Sequence, residues 1–249
     1  MKVLIIGNGS REHAIAWKLS NSPLVDKIYI APGNAGTAAI GVNLPIAASD
    51  IQDLAQAAKY HEIDVTIVGP EIPLEAGIID LFHNEGMAAF GPKQEAARIE
   101  SSKVFAKNLM LKHQLPTAQA KVFDSYNEAR GYIESIQPPL VVKADGLAAG
   151  KGVTVATTQE SALNAAKECM VDRIFGPAGD MILIEECLTG QEVSVFAFTD
   201  GKSISPLIAA CDYKRAYDND LGPNTGGMGS YSPPTFWNPK LEREIRDTI

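Results

Sequence analysis

Val3-Leu4-Ile5-Ile6 is an unbroken aliphatic run that stops at Gly7-Asn8-Gly9, and Ser10 to Leu19 then carries helical spacing. A run of this kind without polar alternation reads as a buried strand, followed here by a glycine turn and a helix. Lys27–Ala31 and Asp64–Gly69 read as further strands, and Ser49-Asp50-Ile51-Gln52 as a capping box opening a helix to about Lys59. The expected class is α/β with a parallel sheet. A helix over Glu75–Asn84 and a short strand near Ala88–Phe90 complete a first unit near residue 100.

The first turn departs from the dinucleotide fingerprint G-x-G-x-x-G, because Glu12 stands where the third glycine is needed. The second strand runs into Pro32-Gly33-Asn34 without an acidic residue for a ribose. A nicotinamide cofactor is disfavoured, whereas one phosphate at the helix N-terminus is compatible. Ligands of open parallel sheets bind outside the carboxyl ends of strands, which marks Asn8, Gly9, Ser10, Asn34, Gly36, Thr37 and Glu71 as candidates for one crevice. The alternative is three ordinary connecting loops.

Leu140-Val141-Val142 delivers Lys143 to the start of a stretch holding Gly146, Gly150, Lys151 and Gly152. Glycines let backbone N–H groups approach an anion, and lysine supplies a compact charge, so a polyphosphate is the expected partner. The Walker pattern fails because Gly152, not Ser or Thr, follows Lys151. A plain β-hairpin of Leu140–Lys143 with Val153–Ala156 is the competing reading. Capping boxes at Ser125-x-x-Glu128 and Thr157-x-x-Glu160 alternate with strands at Ala120–Phe123, Leu140–Lys143, Val153–Ala156 and Met181–Glu185, which describes a small α+β lid.

Ser101 or Ser102 caps a helix whose first turn holds Lys103, where the macrodipole disfavours a cation, so Lys103 is either solvated or a phosphate ligand. Glu185 and Glu186 end the last lid strand, as acceptors for a ligand or as solvated charges, with spacing favouring the latter. Asp212 to Gly229 is too long for a simple connector, and its glycines imply backbone pressed against a ligand.

The 249 residues are 45% hydrophobic and 21% charged, a globular profile, and the net charge of -8 argues against general affinity for nucleic acid or anionic membrane. Cys169, Cys187 and Cys211 show no C-x-x-C spacing and fit a reducing, cytoplasmic compartment. The opening apolar stretch is too short for a signal peptide, and no run approaches the roughly 18 residues of a membrane span.

Taken together, Gly7-Asn8-Gly9-Ser10-Arg11-Glu12-His13-Ala14, Pro32-Gly33-Asn34-Ala35-Gly36-Thr37, Gly69-Pro70-Glu71, Val142 to Val153 and Gly222-Pro223-Asn224-Thr225-Gly226-Gly227-Met228-Gly229 closely resemble the glycinamide ribonucleotide synthetases, within the ATP-grasp superfamily. The resemblance implies an N-terminal Rossmann-like domain over 1–102, the start of a central ATP-grasp domain over 103–119, a lid over 120–190 and an incomplete central domain over 191–249. It implies that Lys103 and Lys143 reach ATP phosphates and that Ala148, Gly150, Lys151 and Gly152 belong to a loop folding over them. Glu185, Glu186 and Leu188 would form the hinge that pairs with adenine largely through backbone groups, and Glu192 would bind ribose. Asn8 to Ser10, Asn34 to Thr37 and Glu71 would serve 5-phosphoribosylamine. Asp212, Lys214, Arg215 and Pro223, Asn224, Gly226, Gly227, Met228 and Gly229 would hold ribosyl and glycine groups at the reacting centre.

The implied reaction joins glycine to 5-phosphoribosylamine through a glycyl phosphate, giving glycinamide ribonucleotide, ADP and phosphate. No protein nucleophile is required, in keeping with the lack of a Ser-His-Asp or Cys-His constellation. Ser10 and Gln191 depart from the family's usual glycine and glutamate. The Mg²⁺ (or Mn²⁺) ligands of the family are expected beyond Ile249, so the sequence reads as an amino-terminal portion. A nucleotide-binding module without turnover and another ATP-grasp ligase are the competing readings.

Overall fold

Leu4 and Ile6 face one way from the first strand, Val3 and Ile5 face the other, and all four are buried. The strand, β1 (Lys2–Gly7), is therefore covered on both sides. The computed structural model describes residues 1–148, 150–218, 221–225 and 227–249, the side chains of Pro223 and Asn224 excepted. The chain forms two compact units, Met1–Ala106 and Lys107–Ile249.

In the first unit α1 (Ser10–Ser20), β2 (Lys27–Pro32), β3 (Val42–Asn43), α2 (Ile51–Tyr60), β4 (Val65–Val68), α3 (Glu71–Glu75), α4 (Ile78–Asn84), β5 (Ala89–Phe90) and α5 (Gln94–Ser101) follow β1. The sheet is parallel throughout, in the order β3-β2-β1-β4-β5. Leu4, Ile6 and Tyr29 pack with Leu54 and Ala58 of α2 and with Ile78, Ile79 and Phe82 of α4. Val3, Ile5, Ile28 and Ile30 pack with Ala16 of α1 on the opposite face. Because the order of strands reverses between β1 and β4, their carboxyl ends bound the crevice of this fold.

Asp50, not Ser49, precedes α2, and its side chain makes no capping hydrogen bond; the Ile51 N–H is met instead by the Ser49 carbonyl at 3.0 Å. The helix expected over Glu75–Asn84 is two helices, because Gly77 adopts φ 85° and breaks the path. The first begins at Glu71, since Pro73 lies in the opening turn where no backbone donor is needed. Helix α5 was not expected; Gln94 anchors it, its N–H on Asp80 at 2.7 Å and its side-chain amide on the Glu75 carbonyl at 2.8 Å.

Helix α6 (Lys103–Lys112) spans the division between the units. Then come β6 (Ala120–Phe123), α7 (Tyr126–Ser135), β7 (Leu140–Ala144), β8 (Val153–Ala156), α8 (Gln159–Met170) and β9 (Ile182–Glu186), whose strands form an antiparallel sheet in the order β6-β9-β7-β8. Leu140, Val142, Ala144, Ile182 and Ile184 bury one face against Ala129 and Ile133 of α7 and Ala162, Ala165 and Ala166 of α8. This is the expected α+β layer. Ser125 precedes α7 without a side-chain cap, and the box expected at Thr157 forms one residue later, with Ser161 N–H donating to Thr158 Oγ1 at 3.1 Å.

Strands β10 (Ser194–Phe196), β11 (Ile208–Asp212) and β14 (Ser230–Tyr231) form a second antiparallel sheet. The stretch expected as one long loop holds a hairpin of β12 (Arg215–Tyr217) with β13 (Leu221–Asn224). Its polar, glycine-rich composition hid the strands, which pair antiparallel with Arg215 opposite Asn224 and Tyr217 opposite Leu221. Helix α9 (Pro239–Thr248) is capped by Asn238, whose Oδ1 accepts from Lys240 and Leu241 N–H at 3.0 and 3.1 Å.

Candidate functional site

The turn after β1 is shaped by Glu12, which is 4% exposed and accepts from the Gly9 N–H at 2.7 Å. A Cβ built on Gly69 would lie 1.9 Å from Glu12 Oε1, and one on Gly7 would lie 2.6 Å from its Cδ. The carboxylate thus occupies the space that side chains on the β1 and β4 turns would fill. A third glycine at position 12 would leave that space vacant, which explains the departure from the dinucleotide pattern. Next to it Arg11 donates to the Gly69 carbonyl at 2.6 Å and pairs with Glu71 at 3.1 Å, tying the two turns together.

Asn8, Gly9 and Ser10 are exposed on this turn, with Ser10 opening α1. Asn34 holds the neighbouring loop: its Oδ1 accepts from Gly36 and Thr37 N–H at 2.8 and 3.0 Å, and its Nδ2 donates to the Asn8 and Gly9 carbonyls at 2.9 and 3.3 Å. Thr37 is fully buried, its hydroxyl bound to the Asn34 carbonyl and to Asn43 Oδ1. The side chains of Asn34 and Thr37 therefore build the loop, while Asn8 and Ser10 lie exposed on the adjoining β1 turn, whose Gly9 backbone is bonded to Glu12 and Asn34. These bonds join Asn8, Gly9, Asn34, Gly36 and Thr37, with Ser10 next to Gly9 in the chain and Glu71 linked to the β1 turn through Arg11.

In the second unit, Val141 stands opposite Glu185 across β7 and β9, which puts Lys143 and Glu185 on one face, opposite the helical layer. Glu185 is 6% exposed, so the reading of it as a solvated charge is wrong. Its Oε2 meets Lys143 Nζ at 2.5 Å and its Oε1 meets Lys107 Nζ at 3.0 Å. Burial pushes the Glu185 carboxyl up, but hydrogen bonds and charge from Lys143 and Lys107 outweigh it, and the group titrates below the ordinary carboxylate range. Sequence reading missed Lys107, a lysine in a helix, which ordinarily points to solvent.

Lys103 opens α6 after Ser102, whose hydroxyl accepts from the Phe105 N–H at 3.0 Å. Glu186 is exposed; its Oε1 accepts from the Gln119 N–H at 2.8 Å, while its N–H donates to the Gln119 carbonyl at 3.0 Å and continues the β6–β9 ladder, and Leu188 is exposed just beyond it.

Strands β7 and β8 pair from Leu140–Ala156 to Lys143–Val153, so the hairpin exists and Lys143 stands at the mouth of its loop. Gly146 has no room for a side chain beside Ala178, whose Cα lies 2.9 Å from the position of its Cβ. Gly150 adopts φ 75° in open space, and the Lys151 N–H donates to the Ala148 carbonyl at 2.9 Å. A Cβ on Gly152 would sit 2.7 Å from that of Ala148. Lys151 is exposed at the loop's edge.

Glu192, Lys214 and Asp212 form a third cluster. Lys214 Nζ is hydrogen-bonded to Glu192 and lies 3.7 Å from Asp212 Oδ1. The hydrogen bond to Glu192 raises the Lys214 ammonium above its ordinary value, with burial opposing. Arg215 donates to the Gly222 carbonyl at 2.7 Å and so braces the hairpin. Met228 N–H donates to the Tyr213 carbonyl at 3.0 Å, and the Gly229 carbonyl accepts from Tyr213 N–H at 2.9 Å, while Gly227 adopts φ 98°. Pro223 and Asn224 lie in β13, and Gly226 lies outside the described residues.

The family model "Phosphoribosylglycinamide synthetase, N domain" matches residues 1–100, and "Phosphoribosylglycinamide synthetase, ATP-grasp (A) domain" matches residues 101–249. A curated phosphoribosylamine–glycine ligase of Halalkalibacterium halodurans is 47% identical over the whole chain, which covers 58% of it. The chain spans about 58–60% of the length of such relatives. The crystal structure of phosphoribosylamine–glycine ligase from Thermotoga maritima superposes with a TM-score of 0.82 at 32% identity, over 100% of this chain and 59% of that one. The biotin carboxylase domain of Hydrogenobacter thermophilus 2-oxoglutarate carboxylase, solved with MgADP, ADP and bicarbonate, shares the fold at 16% identity and a TM-score of 0.69, over 99% of this chain and 56% of that one. Since the two family models together account for residues 1–249, the chain belongs to the phosphoribosylglycinamide synthetase family.

Proposed function

We propose that the protein takes part in ATP-dependent ligation of glycine to 5-phosphoribosylamine, giving glycinamide ribonucleotide, ADP and phosphate, in the cytoplasm. The observation that carries the reading is Lys143 at the mouth of the Gly146–Gly152 loop, set on a buried carboxylate, in a chain of this family. A partly exposed ammonium beside a glycine loop fits the phosphate chain of a nucleotide.

Within this reading Lys103 and Lys143 hold phosphates, and Ala148, Gly150, Lys151 and Gly152 cover them. Glu185, Glu186 and Leu188 line the adenine edge through backbone groups, the Glu185 side chain being taken by Lys107 and Lys143, and Glu192 takes the ribose. Asn8, Gly9, Ser10 and Glu71 serve the phosphoribosylamine together with the adjoining loop of Asn34, Gly36 and Thr37. Asp212, Lys214, Arg215 and residues 223–229 orient the glycine and the ribosyl group. We assign residues 1–102 to the substrate domain, 120–190 to the lid, and 103–119 with 191–249 to the central domain. ATP, as substrate, supplies the phosphoryl group that turns the glycine carboxylate into an electrophile, and the lysines offset charge spreading over it.

Among the described residues no group of three or more His, Cys, Asp or Glu side chains is placed to hold a metal ion. No helix among them is long and apolar enough to cross a membrane.

Calorimetric titration with ATP, together with ADP release in Mg·ATP, glycine and freshly made phosphoribosylamine, tests the reading. ATP binding by the chain is expected, and, in a version extended through the remaining length of its relatives, ADP release that requires both glycine and the amine. Failure to bind ATP, or ADP release indifferent to the amine, would overturn it.

A further inference from the structure

Lys107 is engaged entirely within the protein. Its side chain is 5% exposed, and its Nζ meets Thr117 Oγ1 at 2.6 Å, the Ala118 carbonyl at 2.8 Å and Glu185 Oε1 at 3.0 Å. An ammonium has three donors, so these three acceptors saturate it and leave none for a ligand. Lys143, on the other oxygen of the same carboxylate, is 29% exposed. The two lysines therefore have different duties although they share one partner.

We propose that Lys107 is a positioning residue that neutralises Glu185, so that the charge of Lys143 remains available to an anionic ligand at the glycine loop. This deepens the nucleotide reading and rests on it. With both lysines present, the three side chains carry two positive charges and one negative. Without Lys107, Lys143 becomes the sole counter-ion of a buried carboxylate, and the remaining pair is neutral. A polyanion approaching Lys143 then has to compete with Glu185. Removing both Lys107 and Glu185 charges returns Lys143 to a single uncompensated cation.

The test is calorimetry with ATP, ADP, AMP and adenosine in metal-free buffer, on wild type, Lys107→Met and Lys107→Met/Glu185→Gln, each checked by thermal melting. Lys107→Met is expected to weaken ATP by roughly ten- to a hundredfold, the effect of one unit charge a few ångströms away in a partly buried site. The loss should shrink from ATP through AMP and vanish for adenosine, and the double variant should bind ATP within about threefold of wild type, as two cancelling charges imply. A purely structural role for Lys107 would instead weaken adenosine and ATP equally. That result would overturn the inference, as would unchanged ATP affinity in a folded Lys107→Met or a double variant as weak as the single one. If Lys107→Met does not fold, the double variant decides: ATP affinity near that of wild type supports the inference, and affinity tenfold or more weaker overturns it. Wild type that binds no adenine nucleotide would remove the nucleotide reading itself.

Discussion

Glu185 and Lys143 are diagonal neighbours on one face of the β7–β9 pair, and their side chains meet at 2.5 Å. The strand register thus fixes where the lysine charge sits.

Lys143→Ala is expected to weaken ATP by about 1.5–3 kcal/mol, the scale of a lost charge-assisted hydrogen bond, and AMP much less. The fold should survive because Lys107 still compensates Glu185. Calorimetric titration measures both ligands, and undiminished ATP affinity would reduce Lys143 to a structural partner of Glu185.

Glu192→Ala should weaken ATP and AMP alike, by about 1–2 kcal/mol, because a ribose contact is common to both. Its pair with Lys214 is 73% exposed on the glutamate side, so thermal stability should barely move. A loss confined to ATP would move Glu192 from the ribose to the phosphates.

Glu185 titrates below its unfolded value of about 4.3, so its stabilisation is complete above that value and is lost as pH falls through the folded pKa. The stability difference between wild type and Glu185→Gln should therefore be largest near pH 7 and shrink below about pH 4. Urea melts at a series of pH values give the curve, and a pH-independent difference would mean that Glu185 stabilises by shape alone.

Gly69→Ala would put a methyl carbon 1.9 Å from Glu12 Oε1. The expected cost is about 1–3 kcal/mol, typical of overpacking. Most of it should disappear when Glu12 is also shortened to Ala. Equal penalties in both backgrounds, read from denaturant midpoints, would show that Glu12 is not what fills the space.

The strands were legible because their runs are continuous: Val3–Ile6, Leu140–Val142 and Ile182–Ile184 are buried as their composition demands. The capping pattern was less reliable. It occurs at Ser49, Ser125 and Thr157, yet only the neighbouring Thr158 uses its side chain as a cap acceptor, since the pattern does not fix the path by which the chain reaches the helix. Lys107 and Glu185 were illegible for another reason. Each looks solvated alone, and their burial depends on Thr117, Ala118 and one another, which only the folded chain brings together. Lys143 was marked by its local setting, a strand end before glycines, which survives without tertiary information.

The Glu12 side chain and the bare backbones of Gly7 and Gly69 fill one volume from three places in the chain. Such positions are expected to drift together over evolutionary time rather than singly. A relative with alanine at the place of Gly69 should carry a shorter residue at the place of Glu12, and swapping either turn alone between such relatives should yield a chimera weaker than both parents.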